Sequence, residues 1–481
     1  MKKNCSFLRR GTSRLLLVMS LFWLNGCTIG YHDDEVFESD VKNSTLKSPT
    51  LEDVDVSIDA AGEVVTVEWA VVHGAEGYEF SWYNVDDPNN PLPIEENEFV
   101  DGCRIQLNVL EDTNYKFLIR TIGSKNFNNK DAESACEINY STLVETYKSI
   151  PNGADLATWF AENPLPETDE TPNEDGTLKE LAYELEPGGE YTVSAPVDLG
   201  ARKVTLRGSK VNRAKVTLGE SGRFETQNGL KLKFMNIFCG AQDKDNSSSS
   251  LIALSTTPNE ALKVASGEYV IKEPIVLQNC NIYDVNRHLF YDSSKKYCVE
   301  NLTVKGCYVR FNQSNTLVLF KSGSYINMTF KESTMYSTVQ NGSYFAQVNG
   351  NRPNKITGYS TATFAFESCT LHNIAYSKDF TNWNSYRGQS VVTLKFFKNI
   401  FVDCGRGDMT NKIMGNANMG REFEYNTYWY NGVRSNDKYD TNALGTDPAF
   451  TDAANGNFTV NGTEQLEKRT GDPRWLPIVE E

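Results

Sequence analysis

The sequence predicts an all-β chain: a small antiparallel β-sandwich followed by a long parallel β-helix. Two observations carry this. Between residues 64 and 120, apolar and polar residues alternate in short runs, as half-buried strands do. From residue 275 onward a second pattern recurs at about the length of one solenoid coil. At 481 residues the chain has room for both. With 39% hydrophobic and 23% charged residues, its composition is that of a globular protein. The unusual feature is the aromatic content of 11%.

A basic stretch (Lys2, Lys3, Arg9, Arg10, Arg14) precedes an apolar run from Leu15 to Leu24, then Gly26 and Cys27. A positive start, a short apolar core and a small residue make a secretory signal, expected over residues 1–26. The apolar run is too short for a stable membrane span. Leu24-Asn25-Gly26-Cys27 resembles a bacterial lipobox, with Asn25 a departure. That resemblance implies cleavage before Cys27 and lipid on its thiol. A polar tether follows over residues 27–50, and its Asp33-Asp34-Glu35 resembles the surface-export signal of Bacteroidetes lipoproteins. Together these imply an outer-membrane lipid anchor, with the protein facing the cell exterior.

Lys and Arg number 47 against 63 Asp and Glu, a formal charge of −16. Loss of five basic residues with the signal takes the mature chain to −21. Such acidity argues against nucleic acid, whose phosphates require a basic footprint. Four His argue against a multi-histidine metal centre, and no metal ligands are assigned. Cys5 leaves with the signal and Cys27 carries lipid, so eight of ten Cys remain. No C-x-x-C pair exists, so zinc and thioredoxin-like readings lack their spacing.

Residues 51–147 read as the sandwich. Val64 to Trp69 alternates with Trp69 on the buried side, and Gly77 to Tyr83 forms a second strand after a turn at Val72-His73-Gly74. Leu110 to Arg120 supplies a third with a corner at Leu110/Tyr115. These features resemble a fibronectin type III module, which implies a spacer or binding platform. Cys103 and Cys136 are the one pair here that a disulfide would join.

Residues 148–477 read as the β-helix, with a helical cap over 148–163. Asp155 stands as N-cap before Leu156, Trp159 and Phe160 on one helical face. Asn163 to Gly176, rich in Pro and acids, reads as an exposed loop without EF-hand spacing. The repeat follows as Ile275/Leu277/Cys280/Ile282, Leu302/Val304/Cys307/Val309, Met328/Phe330/Ser333/Met335, Phe364/Phe366/Cys369/Leu371 and Leu394/Phe396/Asn399/Phe401. Successive starts lie 27, 26, 36 and 30 residues apart, with looser copies at Leu230 to Phe238 and Phe423 to Trp429. Alternation broken by a two-residue corner at each coil is what a parallel β-helix requires. Cys280, Cys307, Ser333, Cys369 and Asn399 then form an internal ladder of compact side chains, the Cys as packed thiols.

The repeat, with Ile150-Pro151-Asn152-Gly153-Ala154-Asp155-Leu156, Glu186-Pro187-Gly188-Gly189 and Thr470-Gly471-Asp472-Pro473-Arg474-Trp475, resembles the pectate-lyase-like right-handed β-helix. Specifically, it is similar to those of Bacteroidetes lipoproteins encoded with pectin-utilisation systems. The resemblance implies a plant polysaccharide partner, a pectic glycan, and a glycan transporter complex.

Outward positions stack coil on coil as well. One column holds Tyr283, Arg310, Tyr336, His372 and Val402, and another Asn281, Tyr308, Thr334, Thr370 and Ile400. Aromatic faces stack on pyranose rings, and Arg pairs bidentately with uronate carboxylates. Tyr283, Tyr308, Arg310, Tyr336 and His372 are therefore candidate ligand contacts, joined by Trp383, Tyr386 and Arg387 on an aromatic insertion. Lyases of this fold use clustered carboxylates for calcium and a basic residue as base. Here Arg352-Pro353-Asn354-Lys355 is only a partial match, and the repeat stacks no three carboxylates, Glu367 standing beside Lys305 and Lys331. For a hydrolase, which needs clustered Asp, Asp403 and Asp408 beside Arg406 come closest. The expected function is noncatalytic glycan binding at the cell surface, without a cofactor. The alternatives are a calcium-dependent polysaccharide lyase and a structural or adhesive surface protein.

Overall fold

The computed structural model describes residues 40–59, 62–169, 171–173, 176–435 and 437–478. Cys27 and the signal lie outside these. The chain divides into two compact units between Leu143 and Val144.

The first unit is an antiparallel sandwich of two sheets. Val54–Ile58, Val64–Trp69 and Arg104–Asn108 form one, and Leu92–Val100, Ala75–Asn84, Asn114–Gly123 and Cys136–Ser141 the other. Alternation buries Val65, Val67 and Trp69 against Tyr78, Phe80 and Phe117. At the corner read from Leu110 and Tyr115, the Leu110 N–H donates to the Tyr115 hydroxyl at 2.7 Å. No disulfide joins Cys103 and Cys136.

The second unit is a parallel β-helix. It starts at Val144, so residues 144–147 belong here: Thr146–Ile150 pairs in parallel with Leu181–Leu185. Three sheets run its length, of 11, ten and seven strands, and their ladders are parallel except for the last strand of the second sheet. The first sheet pairs Ile275, Leu302, Met328, Phe364 and Leu394 in one row. The second pairs Ile282, Val309, Met335, Leu371 and Phe401. Both rows are those of the sequence repeat.

Between these sheets most coils turn through one left-handed residue, including Asn279, Gly306, Glu332, Ser368 and Lys398. A non-glycine residue there costs about 1–2 kcal/mol. Coil-to-coil bonds offset it, for the Asn279, Glu332 and Lys398 N–H groups each donate to the next coil at 2.8 Å. The residue after the turn points inward, and Cys280, Cys307, Ser333, Cys369 and Asn399 are all fully buried. Cys369 N donates to Asn399 Oδ1 at 2.9 Å, and Asn399 Nδ2 donates to Phe366 O at 2.9 Å. The thiols instead approach carbonyls, Cys307 donating to Lys305 O at 3.3 Å and Cys280 lying 3.4 Å from both Gln278 O and Leu232 O of the neighbouring coil. Compact polar side chains thus satisfy backbone groups that the corner strands.

Helix Leu156–Glu162 caps the first coil, burying Leu156 and Phe160. Asp155 Oδ1 accepts from Thr158 N at 3.0 Å, and Oδ2 accepts from Ser194 N at 2.8 Å. These donors hold the Asp155 carboxyl down at about 2 against the opposing effect of burial.

Candidate functional site

Strand register on the second sheet decides which outward side chains meet. Asn236, Asn281, Tyr308, Thr334, Thr370 and Ile400 form one column. Arg310, Tyr336, His372, Val402 and Trp429 form the other. Phe238 and Tyr283 pair directly before it. Between Ile282 and Val285 the register slips, so Tyr283 and Asp284 both oppose Arg310. That bulge, with Asp284 left-handed, brings its carboxylate to Arg310 through bonds of 3.0 and 2.9 Å.

The rings in this column face one another rather than solvent. Strands lie about 4.8 Å apart, close to the separation of stacked rings. Phe238 and Tyr283 accordingly stack at 5.0 Å with planes 24° apart, and the Arg310 guanidinium lies 5.2 Å over Tyr283. Pyranose stacking on open Tyr283 faces, expected from sequence, is therefore corrected. What the column offers outward is ring edges, hydroxyls and cations.

Lys215 extends this strip at one end, its Nζ 5.9 Å over Phe238. Asn281 Nδ2 donates to Asn236 Oδ1 at 2.9 Å alongside. Phe238 and Asn236 escaped the sequence reading because their coil is a loose copy of the repeat, and Lys215 because it lies one coil earlier, before the first copy. The alternation Met235/Ile237 nevertheless puts Phe238 at the Tyr283 position.

Past Arg310 the column is covered by the C-terminal segment, residues 446–477. Phe458 packs on Tyr336 at 5.1 Å and on His372 at 5.7 Å. Tyr308 OH donates to Tyr336 OH at 2.8 Å, and Trp475 lies 6.3 Å from the Tyr308 ring. Thr334 Oγ1 donates to Asp472 Oδ2 and accepts from Trp475 Nε1, both at 2.7 Å. Burial pushes the His372 imidazole toward its neutral form, against the pull of Asp403. Tyr336 is buried and His372 is turned to Phe458, so the expectation that they contact ligand is corrected.

Trp383 and Tyr386 are corrected too, being 1% and 0% exposed. Tyr386 stacks on Tyr325 at 4.9 Å and donates to its carbonyl at 2.7 Å. Trp383 meets Phe364 at 5.1 Å and donates to Ile413 O at 3.1 Å. They fill the interior of a coil. Arg387, on the same turn, is exposed and runs along Gly415. Of the eight expected contacts, the structure brings Tyr283 and Arg310 together with an open side, while Tyr308 lies beside them under Gly456, Arg474 and Trp475.

The carboxylates considered for catalysis are engaged. Asp403 accepts from Asn431 N at 2.8 Å, Asp408 from Asn411 Nδ2 at 3.0 Å, and Glu367 from Lys331 at 2.9 Å. Arg406 pairs with Asp379 at 2.6 Å. Among the described residues no three His, Cys, Asp or Glu side chains are placed to share a metal ion. The described residues therefore hold no carboxylate cluster of the kind that a lyase's calcium requires.

Three family profiles match the chain, each a domain of unknown function: DUF4992 over residues 1–188, DUF4957 over 189–338 and DUF5123 over 364–475. No curated protein sequence matches it. Among solved structures it is similar to a PL6-family alginate lyase, AlyGC, at 14% identity and a TM-score of 0.36. That match covers 64% of this chain and 40% of the enzyme, so the chain spans about two fifths of its length. It is also similar to pectate lyase PelI of Erwinia chrysanthemi, solved with tetragalacturonic acid, at 10% identity and a TM-score of 0.17. That match covers 84% of this chain and 97% of PelI. For pectate lyase Pel3 of Pectobacterium carotovorum the values are 10%, 0.15, 82% and 96%. At such scores the likenesses say nothing about chemistry.

Proposed function

We infer that the chain is a surface lipoprotein that binds an extended, uronate-containing polysaccharide without cleaving it, and that partner proteins take up or degrade the glycan. The observation behind this reading is the strip from Lys215 through Phe238 and Tyr283 to Arg310. It crosses four coils, about 14 Å at the spacing of β-strands. A short run of sugar units fits that length. Lys215, paired with Glu190 at 3.2 Å, and Arg310 supply cations, Asn236 and Asn281 supply amides, and Tyr283 supplies a ring edge. Arg310 is held rigid by Asp284, which lowers the ordering cost when a carboxylate arrives. A mature charge near −21 repels an anionic glycan only within about 8–10 Å, so contact through local cations suffices. The fibronectin-like sandwich acts as a spacer, and lipid on Cys27 anchors the chain to the outer membrane.

Affinity electrophoresis in gels containing pectic glycans tests the binding. Retardation is expected on a uronate-rich glycan; none on any glycan overturns the reading.

A further inference from the structure

A second site lies near the C-terminal coils, away from the strip. A cavity of about 290 Å³ opens among Tyr428, Arg434, Asp437, Asp440, Ala443 and Leu444. Its two carboxylates differ. Asp440 is fully engaged: Oδ2 accepts from Asn426 Nδ2 at 2.9 Å and Tyr428 OH at 3.0 Å, and Oδ1 from Asn442 N at 3.2 Å. Asp437 is half engaged. Its Oδ1 accepts from Thr410 N at 3.1 Å, while its buried Oδ2 has no hydrogen-bond partner among the described residues. A buried carboxylate oxygen without a donor is costly, and the cavity it lines is where a donor would arrive.

The rest of the wall selects among donors. Arg434 contributes a guanidinium, one of whose N–H groups donates to Ala443 O at 3.1 Å. A divalent cation would meet that positive charge and one unengaged carboxylate oxygen, too few ligands to hold it. An anion would meet Asp437 and Asp440. A neutral polyol suits both: its hydroxyls donate to Asp437 Oδ2 and accept from Arg434, while its carbons lie on Leu444 and Ala443. Burial also raises the Asp437 carboxyl to about 7, with Asp440 and Asp408 adding to the rise. Near neutrality such a group is a versatile partner for sugar hydroxyls.

We propose that this cavity takes one neutral sugar residue, the end or a side branch of a glycan, held by its hydroxyls between Asp437 and Arg434. It rests on the same carbohydrate-binding reading but concerns a separate surface from the Lys215–Arg310 strip.

Saturation-transfer NMR on the full chain with D-galactose, L-arabinose, L-rhamnose and D-glucose tests this, alongside Asp437→Ala, Arg434→Gln and Arg310→Ala. Folding of each variant is checked by thermal melting, and Arg434→Gln, at an exposed position, serves if Asp437→Ala does not fold. The expected result is transfer to at least one sugar, weakened tenfold or more by either cavity variant. Retardation on polygalacturonate should be lost in Arg310→Ala and kept by both cavity variants. No transfer to any of the four sugars, or transfer untouched by both cavity variants, overturns the proposal even if polygalacturonate is bound. Sugar binding at the cavity without retardation on any glycan leaves the cavity standing and removes the extended-chain reading.

Discussion

Two stretches of one outward column meet different fates. From Phe238 to Arg310 the side chains are half-buried and keep an open side; from Tyr336 to Trp429 the same face lies under residues 446–477. Locally the two stretches are built alike, from parallel strands carrying aromatic and polar residues. The difference comes from a segment more than a hundred residues away, fastened by Asp472 to Thr334 and Thr370. An aromatic ladder on a β-helix therefore identifies a face but not its availability.

The covered stretch should break first. Phe458 is fully buried against Tyr336, His372, Phe450 and Trp475. Phe458→Ala should cost about 3–5 kcal/mol in chemical denaturation, with new hydrogen exchange at Tyr336. A smaller loss, with no change at Tyr336, would show that the segment is not packed there.

Acid gives the next largest effect and separates global stability from loss of the cover. His288 is buried on the third sheet, its Nδ1 bonded to Thr316 O, and desolvation lowers its pKa to about 4. Folding favours the neutral ring, so stability is complete above the unfolded pKa of about 6.5 and is lost as pH falls toward 4. The loss is on the order of 3 kcal/mol at full protonation. His288→Phe should flatten that part of the profile; an unchanged slope would assign it to other groups.

The open stretch should barely respond. Tyr283→Ala should move stability by about 1 kcal/mol or less, since the ring is half-exposed and its loss leaves no sealed cavity. A penalty as large as that of Phe458→Ala would erase the distinction between the two stretches.

Much of this was legible in the sequence where spacing is local. The rows through Ile275 and Leu302 and through Ile282 and Val309 pair as the repeat places them, because a period of two leaves one register that keeps Leu277 and Val304 inside. The third sheet was not legible. Ser250–Leu254 and His288–Tyr291 are buried at every position, so they show no alternation. Nor was the bulge at Asp284, a single extra residue without a spacing signal. Trp383 and Tyr386 looked like contact residues because polar neighbours surround them. Their rings turn inward to Tyr325 and Phe364, a contact between coils that no local pattern reveals.

The central claim is binding without cleavage through the open strip. Its most direct test follows wild type and Arg310→Ala with polygalacturonate and calcium, reading gel retardation and absorbance near 235 nm together. The account predicts retardation for wild type, its loss in Arg310→Ala, and no unsaturated product from either. Product accumulating with wild type, or equal retardation of both proteins, would contradict it.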